Sequence, residues 1–140
     1  MNAQRELISS DWPEPAQPRK RRKESAEELF AFQCAKFRLP VVERQLMFAK
    51  SVGRKWRFDF SFREYMIAVE IDGVVVARRG GQLVVMGRHA SITGIREDHD
   101  KCNTAVMLGW SVLHFLQTDI RNESALRMTQ YVLHARGWRP

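Results

Sequence analysis

Asp59 and Glu70 each sit in a segment with little other polar company. Asp59 lies within Lys55-Trp-Arg-Phe-Asp-Phe-Ser-Phe62, and Glu70 closes the apolar run Met66-Ile-Ala-Val69. A carboxylate in such surroundings is costly unless an opposite charge compensates it, which a basic side chain or a metal ion can do. On adjacent strands of a hairpin the two would lie side by side. Two hard oxygen ligands in that arrangement suit Mg²⁺, which keeps its remaining water positions for a phosphate and a nucleophile. Asp72 follows Glu70 by two residues, so on a strand both carboxylates point to one face and repel unless they share a cation. Because Gly73 comes next, Asp72 either joins the ligands or orients a turn. Simple pairing of these acids with nearby Arg and Lys is the rival account.

The elements that must position these residues are readable in part. Ser25-Ala-Glu-Glu28 is a capping box and predicts a helix from Ser25 to about Arg38, stopped by Leu39-Pro40. Arg44 to Ala49 and Lys55 to Phe62 read as strands joined by a turn at Lys50-Ser-Val-Gly53. In the second, a period of two puts Trp56, Phe58, Phe60 and Phe62 on one face and Asp59 on the other. Met66 to Asp72 reads as a strand central in the sheet, because its apolar run is continuous. Val74 to Ala77 and Leu83 to Met86 flank Arg78-Arg-Gly-Gly81 as a small hairpin, and the glycines at 80, 81, 87 and 94 suggest a mobile flap. A helix is expected from Glu97 or Asp98 to Leu108, with Cys102, Ala105, Val106 and Leu108 inward and Gly109 at its end. Trp110 to Leu116 reads as a fourth strand, and about Asn122 to Ala135 as a final helix. A helix between two strands implies a parallel crossover, so the strands around Glu70 and His114 should run parallel in a mixed sheet.

The bulk properties bound what such a site serves. The chain has 140 residues with a formal net charge of +7, enough for one packed domain and basic enough to attract polyanions. Residues 1 to 24 hold six Lys/Arg and four Asp/Glu, so the remaining 17 basic and 12 acidic residues leave the folded part at +5. That leading segment contains Pro13, Pro15, Pro18 and the basic run Arg19-Lys20-Arg21-Arg22-Lys23, with too few apolar side chains to offset ordering entropy. It is expected to be a disordered arm, either solvated or touching phosphates, ahead of a domain over 25 to 140. Two cysteines, Cys34 and Cys102, are too few for a disulfide scaffold and read as reduced core thiols. His99 and Cys102 have zinc-like spacing, but no second pair completes four ligands. No run approaches the roughly 18 to 20 apolar residues that span a bilayer, and Met1 to Trp12 lacks the form of a signal peptide. The expectation is a cytoplasmic protein, without membrane attachment, in whatever cell makes it.

Several fragments carry a family resemblance. Ser25-Ala-Glu-Glu-Leu29, Phe37-Arg-Leu-Pro40, Lys55-Trp-Arg-Phe-Asp-Phe60 and Ile67-Ala-Val-Glu-Ile-Asp-Gly73 come first. Gly87-Arg-His89, Asp98-His-Asp-Lys-Cys-Asn103 and Gly109-Trp-Ser-Val-Leu-His-Phe115 follow in order. Together they resemble small endonuclease-like proteins of phages and prophages in the PD-(D/E)XK superfamily, related to the very-short-patch-repair endonuclease group. The resemblance spans about residues 25 to 118 and implies an α/β fold with a restriction-endonuclease-like α-β-β-β-α-β core, a mixed sheet flanked by helices.

It also implies a Mg²⁺- or Mn²⁺-dependent DNA endonuclease. Asp59 and Glu70 match the superfamily carboxylates, and the Ile71 carbonyl would be a further metal ligand beside Asp72. Where the superfamily often has a lysine two places after the glutamate, this chain has Asp72. Lys101 on the following helix or His89 would supply the missing helper, and Glu28 on the first helix is a weaker candidate. Arg78, Arg79, Arg88 and Arg96 are expected phosphate contacts, as are Arg19 to Lys23. A branched-DNA (Holliday junction) resolvase and a nicking or mismatch-directed enzyme are both open, and a resolvase would require a homodimer. The rivals from other classes are a non-catalytic DNA-binding or nuclease-inhibiting module and a structural phage protein. Deleting residues 1 to 24 is expected to weaken binding about equally for all DNA sequences and to flatten its salt dependence, measured by titration at several salt concentrations. An unchanged slope would leave the arm passive.

Overall fold

In the computed structural model, residues 24–73, 75–86 and 91–140 are described. The expectations for the Arg19 to Lys23 arm, for Arg88 and for His89 fall outside them. The chain runs α1 (Ala26–Lys36), β1 (Glu43–Met47), β2 (Arg57–Phe62), β3 (Ile67–Asp72), β4 (Val75–Arg79), β5 (Gln82–Met86), α2 (Ile92–Met107), β6 (Ser111–Leu116), α3 (Gln117–Arg121) and α4 (Ser124–Ala135). This is an α/β fold with a mixed four-stranded sheet in the order β1-β2-β3-β6, flanked by helices, and a separate β4-β5 hairpin. The capping box forms as expected, with the Ser25 hydroxyl accepting from the Glu28 amide at 3.1 Å and Glu28 Oε2 accepting from the Ser25 amide at 3.3 Å.

β3 is internal because Ile67, Ala68 and Val69 have apolar neighbours on both faces, and it pairs antiparallel with β2 and parallel with β6. One cluster lies beneath α1, α3 and α4 and contains Phe30, Phe60, Phe62, Ile67, Val69, Ile120 and Leu133. The other lies beneath α2 and contains Phe58, Ala68, Ala105 and Trp110.

The expected alternation in β2 is corrected by this division. Trp56 precedes the strand, and Phe58 belongs to the cluster opposite the one holding Phe60 and Phe62. The same change of side occurs in β1, where Arg44 stacks over the Phe60 ring at 5.3 Å while Leu46 packs with Phe58. Residues two apart share a face in a regular strand. Between the pairs Arg44↔Phe60 and Leu46↔Phe58 sits Gln45 with φ 55, a left-handed conformation that breaks the alternation. On its own side Phe58 stacks on Phe48, centroids 3.8 Å apart, and meets Trp110 edge-on at 5.1 Å.

The helices differ from the sequence reading in two places. α2 begins at Ile92 rather than near Glu97, because the Ser91 hydroxyl caps it by accepting from the Gly94 amide at 3.0 Å, and Gly94 and Arg96 are therefore helical and not part of a flap. Val106 on that helix is 67% exposed rather than inward. Ahead of the last helix stands a short one that the sequence reading lacks: α3 starts where Asp119 accepts from the Leu116 amide at 2.8 Å, and it buries only Ile120, so no apolar period announces it. Gly109, φ 89, lies just past α2 in the left-handed turn that glycine tolerates best.

Phe60→Ala should cost about 3–5 kcal/mol by loss of a fully buried ring. Val106→Ser should stay within about 0.5 kcal/mol. Urea unfolding of both variants checks the assignment of inner and outer faces.

Candidate active site

The β2-β3 register runs from Phe62↔Ile67 through Ser61↔Ala68 to Phe60↔Val69, and the next step brings Asp59 beside Glu70. There the Ile71 amide donates to Asp59 Oδ2 at 2.8 Å, so a side-chain carboxylate meets it in place of a strand carbonyl. The Gln45 amide group donates to Asp59 Oδ1 at 3.3 Å. Both oxygens of Asp59 are thereby oriented by neighbouring strands.

Asp59 and Glu70 face one cavity of about 570 Å³, lined also by Phe58, Asp72, Lys101 and His114. α2 closes one side of it. Asp98, Lys101, Cys102 and Ala105 recur at the spacing of a single helical face, and all four line the cavity. Lys101 Nζ forms an ion pair with Glu70 Oε1, and the two side chains are only 24% and 11% exposed, which shields the pair from solvent screening. The Glu70 carboxyl is nevertheless pushed up to about 7, chiefly by burial, with Lys101 opposing the shift and Asp59 adding to it.

His114 is the residue that sequence reading missed. It stands next to Glu70 across the parallel β3-β6 pairing, with Nδ1 3.4 Å from Asp72 Oδ2 and Nε2 3.4 Å from Cys102 Sγ. Donating a hydrogen bond to the Asp72 carboxylate raises the imidazole above its ordinary value, partly offset by burial. Like Asp59, His114 is a titratable group in an apolar strand, Trp110-Ser-Val-Leu-His-Phe115, and that setting was the available signal.

The other sequence candidates disperse. Asp72 shares the cavity and engages His114. Glu28 is exposed and its carboxylate serves the α1 cap. Arg78 and Arg79 are exposed on the β4-β5 hairpin, and Arg96 is exposed on α2. Cys34 and Cys102 are both free thiols. Cys34 is a core thiol, pushed up to about 12 by burial, whereas Cys102 is a cavity residue, because its helix position faces Glu70 rather than the core. Cys102 contacts His114, not the His99 of the zinc-like spacing.

The donor chemistry fits a hard divalent cation. Asp59 and Glu70 offer carboxylate oxygens to one space, and the cost of ionising buried Glu70 beside Asp59 is the cost a cation removes. Among the described residues no three His, Cys, Asp or Glu side chains converge as a complete ligand cluster. A cation here would therefore draw on backbone oxygen, such as the Ile71 carbonyl, and on water. Comparison with protein-family models, with curated proteins and with solved structures found no match.

The raised Glu70 value has a defined effect on stability. In metal-free protein the folded state binds more protons at Glu70 than the unfolded chain does between its ordinary 4.5 and about 7, so stability falls as pH rises through that window. The stability difference between wild type and Glu70→Gln, measured by urea unfolding with a chelator present, should fall across the window and level off above it. A difference that rises instead would refute the burial argument. Added Mg²⁺ should recover the loss at the upper end, by binding the ionised folded form.

Proposed function

We propose that this chain is a Mg²⁺- or Mn²⁺-dependent DNA endonuclease of the PD-(D/E)XK type, built on a restriction-endonuclease-like core. The observation that carries this reading is the meeting in one cavity of Asp59 from β2, Glu70 from β3 and Lys101 from α2. Three distant parts of the sequence supply the two carboxylates and the cation that metal-assisted phosphodiester hydrolysis requires. The formal charge of +7 favours a polyanionic substrate.

When bound, the metal ion held by Asp59 and Glu70 supplies Lewis acidity toward the scissile phosphate and its attacking water. Asp59 keeps a fixed orientation through the Ile71 amide and Gln45, so little reorganisation remains at the moment of reaction. Lys101 takes the role of the superfamily lysine, because its ammonium reaches Glu70 from the helix. From there it stabilises negative charge gathering on the phosphoryl oxygens. Asp72, standing where that lysine usually is, holds the His114 ring instead. Selectivity for branched or mismatched DNA, and the homodimer a resolvase needs, belong to the same reading. The replacement of the motif lysine by Asp72 is what favours the second reading, a non-catalytic DNA-binding or nuclease-inhibiting module.

Asp59→Asn and Glu70→Gln are each expected to abolish Mg²⁺-dependent cleavage of plasmid DNA while leaving DNA binding intact or slightly tighter. Lys101→Met should slow cleavage by about 10²-fold or more at every pH. His89→Ala would instead remove one limb of the rate–pH profile if that histidine is the base. Cleavage at the wild-type rate by both carboxamide variants would leave the binding module as the better account.

A further inference from the structure

The β4-β5 hairpin stands apart from the rest of the fold. Among the described residues its strands pair with each other, Val75↔Met86 to Arg79↔Gln82, and with no strand of the four-stranded sheet. A two-stranded ribbon without a covering layer is marginal in water. This one also carries exposed aliphatic side chains, with Leu83 68% and Val85 57% exposed. Its tip is Gly80-Gly81, with φ 56 and 81, the pair of left-handed residues that a tight two-residue hairpin turn requires. Beside that tip Arg78 and Arg79 are both exposed. Pairing and alternation set Arg78 with Leu83 and Val85 on one face, and Arg79 with Gln82 and Val84 on the other. Residues 75 to 86 contain two arginines and no acidic residue.

The hairpin is also the direct continuation of the strand that carries Glu70 and Asp72. From Asp72 to Gly80 the extended chain can reach at most about 26 Å. That is less than one turn of B-DNA, about 34 Å, so a duplex whose backbone enters the cavity lies within reach of the tip. A two-stranded ribbon also matches the width of the major groove, about 12 Å.

We propose that the β4-β5 hairpin is a groove-seated duplex-DNA ribbon, with Arg78 and Arg79 bonding phosphates beside its tip and the aliphatic side chains covered by the groove. The assignment rests on the nuclease reading and deepens it: the substrate is double-stranded where the hairpin binds, and single strands gain nothing from it. A guanidinium on each face beside the turn can meet phosphate through paired hydrogen bonds. The absence of acidic residues along the ribbon removes the repulsion that would oppose its approach.

The test uses the full chain with a chelator, so that binding is read without cleavage, against a short duplex and its separated single strand. Arg78→Gln/Arg79→Gln should lower duplex affinity about tenfold or more and make its salt slope shallower by about 2, one for each phosphate that an arginine no longer neutralises. Single-strand affinity should change by less than about twofold, which also shows that the variant is folded. Leu83→Ser, which leaves the charge unchanged, should weaken duplex binding without altering the salt slope. Equal losses on both probes, or no loss on the duplex, would overturn the proposal. So would a wild-type dimer that either variant splits into monomers in sedimentation, since a second copy would then be what covers the hairpin. Plasmid cleavage with Mg²⁺, run in parallel on wild type, separates the two claims. Hairpin-dependent duplex binding without cleavage removes the nuclease reading alone, and cleavage with hairpin-independent binding removes this proposal alone.

Discussion

The hydrogen bond from the Ile71 amide to the Asp59 carboxylate, 2.8 Å long, is the contact on which the site depends. It joins β2 to β3 just beyond their last paired residues, Phe60 and Val69, and it ties the position of one acid to the backbone next to the other. A bond of this charge-assisted kind contributes about 1.5–3 kcal/mol. Its geometric effect matters more here. Because Ile71 directly follows Glu70, the spacing of the two carboxylates is held by backbone rather than by flexible side chains. The left-handed Gln45 on β1 completes the arrangement by donating to the second oxygen of Asp59.

From that constraint the electrostatics follow. Placing Glu70 beside Asp59 under the cover of α2 makes its ionised form costly, and the Lys101 ammonium only partly offsets the cost. The cavity thus favours an added positive charge, and the formal charge of +7 makes the chain as a whole attractive to polyanions. Asp72 escapes the same crowding through His114, which β6 delivers because it runs parallel to β3 in register with Glu70. Glu70 thus has an ion-pair partner from the helix, and Asp72 has one from the neighbouring strand.

β3 links the parts of the molecule. Its first three residues are buried in the sheet centre, its last three line the cavity or pack beside it, and the chain then leaves the sheet for the β4-β5 hairpin. Core, candidate catalytic groups and the basic ribbon are thus consecutive along one stretch of backbone. Among the described residues no helix is long and apolar enough to cross a membrane.

What could be read from residue order was local. The capping box at Ser25 and Glu28, the continuous apolar run of β3, the parallel crossover to β6 and the isolation of Asp59 and Glu70 among apolar residues all depend on neighbours a few positions away, where propensity and periodicity act. Lys101 was reachable through its place three residues after Asp98 on the helix and through the family resemblance. The side of the sheet taken by Phe58 was not reachable, since a period of two puts it with Phe60, and neither was the left-handed backbone of Gln45 on the neighbouring strand. The start of α2 at Ile92 was hidden by Gly94, which reads as a breaker, and α3 by having only Ile120 to bury. His114 gained its place from strand register, and register is decided by how whole strands bury their faces against the two clusters. No spacing along the chain records that choice, because the partners of His114, Asp72 and Cys102, lie 42 and 12 residues away and meet it only after β3, α2 and β6 have packed.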